Sequence, residues 1–114
     1  MLAYKISVNG SHVITAGHSD WAILAAHLTA SRVNPEKPGA LRDIHFRVGG
    51  LIENETLAAT DPGASEHFRY PVLDLVIGDT VSVEIVDVPD VNAPEKVYTK
   101  TLDQPTNDSS ENAG

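Results

Sequence analysis

The sequence predicts an all-β domain, a small single-domain β-sandwich or partly open barrel of about six or seven mainly antiparallel strands. Three observations lead there. Leu2, Tyr4, Ile6 and Val8 alternate with Ala3, Lys5, Ser7 and Asn9, and Val81, Val83 and Ile85 alternate with Ser82 and Glu84. This is the period of a pleated strand with one face in a core. Ile44, Phe46 and Val48 repeat the pattern against Asp43, His45 and Arg47. Finally, Asn9-Gly10 and Gly78-Asp79 stand beside these runs. Asn and Gly accept positive φ and Asp offers a local side-chain acceptor, so both pairs read as tight turns.

Taken in order, the first run and His12 to Ala16 form an antiparallel hairpin across Asn9-Gly10. Gly17-His18-Ser19-Asp20 then breaks the pattern. Trp21 to Val33 carries two competing signals. As a helix over residues 20–32 it has Ser19 or Asp20 as N-cap, many alanines, and Trp21, Leu24, Ala25 and Leu28 on one stripe, which makes the fold α+β. As a strand it places Leu24, Ala26, Leu28 and Ala30 on one face, and its strand-rich surroundings favour that reading. Pro35 and Pro38 make the following segment a loop. The strand through Ile44, Phe46 and Val48 is expected to end at Gly49-Gly50. Leu51 to Ala64, with its Asp61-Pro62-Gly63 turn, reads as an excursion of weak periodicity. Phe68 to Tyr70 and Val72 to Ile77 flank Pro71 and read as short edge segments. Val81, Val83 and Ile85 are expected on a buried face, and Val97 to Leu102 supplies a last strand. Residues 1–102 thus form one β-rich domain, and residues 103–114 are expected to be a disordered acidic tail.

A chain of 114 residues, 41% hydrophobic, suits one modest core. Its net charge is −8, with 16 acidic against 8 basic residues. Residues 1–57 hold five of each, so the whole excess falls in residues 58–114, where eleven acids face only Arg69, Lys96 and Lys100. Such a charge opposes docking on nucleic acid or an anionic bilayer, which gain affinity from Lys and Arg, and it suits a protein partner with a basic surface. With no cysteine, disulfides, thiol catalysis and thiolate metal sites are excluded. The first residues show no basic segment followed by a long apolar one, so a cytoplasmic protein is expected, without membrane spans. Oligomeric state is not legible.

Candidate chemistry is sparse. His12, His18 and Asp20 are suitable zinc ligands by type but lack the fixed spacing of a metal signature, so no metal or cofactor is expected. Ser65 and His67 fall within Gly63-Ala64-Ser65-Glu66-His67, but the elbow that exposes a hydrolase serine needs a second glycine and a following helix. No catalytic residue is assigned.

The acidic stretch Asp74, Asp79, Glu84, Asp87, Asp90 and Glu95, free of Lys and Arg, is the expected partner-binding surface. Its end, DVPDVNAPE over Asp87 to Glu95, offers clustered oxygens of the kind calcium prefers. It resembles the calcium-binding linker of cadherin repeats, a β-sandwich family, and Ala59-Thr60-Asp61 is similar to another cadherin motif. The two motifs lie much closer together here than in that family, and its Leu-Asp-Arg-Glu segment is missing. The same carboxylates also read as a solvated edge that discourages strand-to-strand aggregation. The functional expectation is a small acidic non-enzymatic interaction module, in the manner of an inhibitor, immunity factor or phage-type antagonist of a basic protein. The alternatives are a calcium-binding adhesion or structural β-domain, or a nucleic-acid mimic that blocks a DNA-binding protein.

Overall fold

A computed structural model of the chain describes residues 1–33 and 35–101. The expectation for the tail, residues 103–114, lies outside them. The fold is a small all-β sandwich of two antiparallel sheets. Its elements are β1 (Leu2–Val8), β2 (Ser11–Ala16), β3 (Trp21–Ser31), β4 (Asp43–Ile52), α1 (Glu55–Thr60), β5 (Ala64–Arg69), β6 (Leu73–Leu75), β7 (Val81–Asp87) and β8 (Lys96–Thr101). The smaller sheet has the order β2-β1-β7 and the larger β3-β4-β5-β8, with β6 paired to β4.

The opening hairpin forms as its sequence dictates. Asn9 and Gly10 adopt φ of 53° and 83°, so a type of turn that bulky residues resist joins β1 to β2. Pairing Ile6 with Ile14 and Tyr4 with Ala16 puts these four on one face. There they meet Leu24, Phe46, Val48 and Phe68 of the larger sheet in one apolar cluster. Tyr4 also donates its hydroxyl to the Leu24 carbonyl at 3.1 Å, a direct tie between the layers.

The segment from Trp21 is a strand, so tertiary pairing overrides the helical propensity of its alanines. Its partner is the long β4, and a bulge between Trp21 and Ile23 lets the two strands stay in register from Leu24 opposite Gly50 to Ser31 opposite Asp43. β4 therefore does not end at Gly49-Gly50. The pair sits mid-strand because neighbouring backbone crowds it: a Cβ on Gly50 would overlap the Ile23 carbonyl oxygen.

Three further expectations are corrected. The excursion after Leu51 contains helix α1, capped by Asn54, whose side chain accepts from the Leu57 N–H at 2.9 Å. It is too short to show periodicity. The Phe68–Tyr70 segment belongs to or adjoins β5, which lies between β4 and β8 and is no edge, whereas β6, within Val72 to Ile77, pairs with β4 alone. Most importantly, β7 forms as a strand but its apolar face is not buried: Val81 is half-buried, whereas Val83 is 43% and Ile85 70% exposed. β7 is the outermost strand of the smaller sheet, so that face lies at the margin of the core, beyond the cover of the opposing layer.

Tyr70 fastens the loops that cross between sheets. Its buried hydroxyl accepts from the Gly17 N–H at 3.1 Å and lies 2.6 Å from the Asn92 carbonyl and 2.9 Å from that of Gly17. Burial raises its pKa, opposed by the Gly17 hydrogen bond.

Candidate functional site

The six acidic residues expected to bind a partner do not form one patch. Asp74 lies on β6, opposite His45, on the outer face of the larger sheet. Asp79 serves the turn before β7, accepting from the Asn9 side chain at 3.0 Å and from the Val76 N–H at 2.8 Å. These bonds hold its carboxyl below the usual range, the Asn9 bond contributing most. Glu95 lies 4.0 Å from Arg69. Glu84 and Asp87 remain together on β7, with Asp90 in the loop that follows. Asp87 meets the N-terminal amine at 3.0 Å, yet its side chain is 93% exposed.

The segment resembling a calcium linker acts here as a strap. Asn92 donates its N–H to the Thr15 carbonyl at 2.9 Å, and its Oδ1 accepts from the Thr15 N–H at 2.7 Å. It thereby covers the Thr15 position of β2. Among the described residues, no three His, Asp or Glu side chains come together in a metal-binding arrangement. His12 bonds to Thr15 at 2.9 Å, whereas His18 accepts from the Asp20 N–H at 3.0 Å and packs its ring on Phe68.

The β7 edge is the other margin of the smaller sheet. β7 pairs along one side with β1, from Leu2 opposite Asp87 to Val8 opposite Val81, and among the described residues with no strand on the other. That edge presents Val83 and Ile85 on one face, Glu84 on the other, and Asp87 and Asp90 at its end. It has apolar area, carboxylates and unpaired backbone groups within one strand's length.

Ser65 and His67 come closer than their sequence context required. They occupy alternate positions of β5, and the Ser65 hydroxyl lies 2.8 Å from His67 Nε2. The His67 ring stacks on Tyr98, centroids 5.3 Å apart. No other hydrogen bond orients His67 among the described residues, so the pair lacks the third group that fixes a catalytic base. Burial, with a smaller contribution from the charge of Lys100, pulls the His67 pKa below its ordinary 6.5. The unfolded chain then takes up this proton more readily than the folded one. The stabilisation from the neutral ring is complete above pH 6.5 and is lost as pH falls through the folded-state value. Thermal melts between neutral and mildly acidic pH should therefore show a smaller loss for His67→Gln than for the wild type. Equal losses would show that the ring titrates normally.

Sequence reading missed a different grouping. Cross-strand register places Arg69 opposite both Gly49 and Lys96, His67 opposite Tyr98, Ser65 opposite Lys100, and His27 opposite Arg47, all on the outer face of the larger sheet. Alternation within each strand was the available signal, but only the pairing joins the strands. Comparison of the chain with protein-family models, curated protein sequences and solved structures returns no match. No helix among the described residues is long and apolar enough to cross a membrane.

Proposed function

We propose that the protein is a small non-enzymatic interaction module that engages a basic protein partner through the β7 edge, in the manner of an inhibitor or antagonist. The observation that carries this reading is the exposed strand itself, with Val83 and Ile85 open to solvent beside Glu84, Asp87 and Asp90. An extended segment added to such an edge gains main-chain hydrogen bonds, while alternate side chains supply specificity. Apolar residues of the incoming strand would cover Val83 and Ile85, and its Lys or Arg residues would meet the carboxylates. The same carboxylates oppose pairing of β7 with a second copy of itself, since like charges across a strand pair are unfavourable. The absence of cysteine suits a reducing compartment, and the cytoplasm is the setting we propose.

The test is capture from the native host with two baits, the wild-type chain and a chain carrying Glu84→Lys and Asp90→Lys, followed by binding kinetics on the purified partner. A basic protein should be retained by the first bait and lost by the second. Charge reversal should slow association by about tenfold at low ionic strength, with the difference shrinking as salt rises. A partner indifferent to both charge reversal and salt would overturn the reading.

A further inference from the structure

We propose that the outer face of the larger sheet holds a second, separate site, a trough that binds a small organic phosphate between Arg47 and Arg69 above Gly49. The first support is where the positive charge sits. In a chain of net charge −8 with 8 Lys and Arg, Arg47, Arg69, Lys96 and Lys100 are brought onto one face by the strand register. Arg69, Lys96 and Lys100 all lie 5.7 to 6.0 Å from the centre of the Tyr98 ring. The Tyr98 ring offsets part of the mutual repulsion of these three cations, and a bound anion would relieve the rest. Among the described residues the Arg47 side chain makes no ion pair, and Glu95, the one carboxylate in the lining of the trough, meets only Arg69, at 4.0 Å. Two further acids of this face, Asp43 and Asp74, lie beside His45, and Asp43 is 3.6 Å from that imidazole.

The second support is shape. The face is hollowed into a trough of about 850 Å³ lined by Arg47, Arg69, His27, His67, Tyr98 and Val72, with Gly49 in its floor. Small-molecule sites occupy roughly 300–1,000 Å³. The floor is bare backbone for a structural reason: a Cβ on Gly49 would come within 3.2 Å of the Arg69 Cα and closer still to the Phe68 carbonyl oxygen. No side chain therefore fills the space beside Arg69, directly across from Gly49, and Arg47, two residues earlier on β4.

The ligand class follows from these parts. Two guanidinium forks offer paired N–H donors, a geometry that matches the oxygens of a phosphoryl group on two sides. Lys96 and Lys100 lie outside the lining but add positive potential from the same sheet face. Within the trough, Val72 and the stacked His67 and Tyr98 rings, 12° from parallel, give a flat or apolar body a surface to lie against. An inorganic ion would leave that part of the trough unused.

Nitrogen-resolved NMR titration of the full chain with adenosine 5′-monophosphate, adenosine and inorganic phosphate tests the assignment. The monophosphate should bind at least about tenfold tighter than either fragment, with amide shifts centred on Gly49, His67, Arg69 and Tyr98. Arg47→Ala and Arg69→Ala should each weaken it by about tenfold, and Arg47→Lys should restore only part of the loss, because a lysine keeps the charge without the fork. Lys5→Ala, outside the trough, should change nothing. The variants replace exposed side chains, and an unchanged spectrum away from the trough checks that they fold. Equal responses to monophosphate and adenosine, or binding that survives removal of both arginines, would overturn the proposal. So would a thymidine decamer that outbinds the monophosphate with shifts running the length of β8, since the face would then serve a nucleic-acid strand.

Discussion

Gly50→Ala is expected to cost about 3 kcal/mol or more, enough to lower the melting temperature by roughly 15 °C. The reason is geometric. A Cβ at this position would overlap the Ile23 carbonyl oxygen, lie 2.8 Å from its carbon and 3.2 Å from the Leu24 Cα. All three are backbone atoms of the paired strand, so no rotamer change relieves the contact. β3 and β4 would have to separate at the bulge that aligns Ile23 with Leu51. Gly78→Ala is the informative control. Gly78 has φ of 103° but nothing within 4 Å of a built Cβ, so its cost is limited to backbone strain, roughly 1–2 kcal/mol. Comparable losses at both positions in thermal or denaturant melts would show that the strands do not approach each other so closely at Gly50.

The two glycines mark what the sequence could and could not reveal. Strand period is local, so β1, β2, β7 and the start of β4 are legible from alternation alone, as is the Asn9-Gly10 turn. Whether an alternating face is covered is not local. Val81, Val83 and Ile85 share a side of β7 as their spacing requires, but burial depends on what lies opposite, and the described residues leave Val83 and Ile85 43% and 70% exposed. Gly49-Gly50 reads as a strand terminus because glycine usually punctuates. Here it answers a close approach by β3 and β5 that only the assembled sheet creates. The Trp21–Ser31 segment is ambiguous in sequence for a related reason, since its alanines prefer a helix and pairing with β4 makes it a strand.

The same distinction governs the two candidate surfaces. Counting charge along the chain identified an acidic second half, and Glu84, Asp87 and Asp90 do remain near one another because they are close in sequence. Asp74, Asp79 and Glu95 are drawn into separate surroundings by the chain's crossings between sheets. The cationic face was invisible to such counting. Arg47, Arg69, Lys96 and Lys100 come from three strands, β4, β5 and β8, and meet through the pairing of Gly49 with Arg69 and of Arg69 with Lys96. A residue-by-residue reading assigns each to a solvated strand face, which is correct and insufficient.

Phe68→Ala is the second large effect, and it bears on function as well as stability. Phe68 is 1% exposed and sits on β5 between β4 and β8. Its ring meets Tyr70 edge-on, centroids 6.3 Å apart, and the His18 ring at 5.4 Å. Truncation removes the buried ring and leaves a cavity that flanking strands cannot close without giving up their pairing, so a loss of about 3–5 kcal/mol is expected. Ile85→Ala supplies the contrast. With its side chain 70% exposed, it should alter stability by no more than about 0.5 kcal/mol while weakening any partner that covers β7. A substitution that spares folding but costs binding marks a surface kept apolar for contact, whereas one that unfolds the chain marks the core. Should denaturant titration instead find Ile85→Ala as damaging as Phe68→Ala, the apolar face of β7 would belong to the core. The edge would then offer a partner backbone hydrogen bonds and charge but no apolar surface.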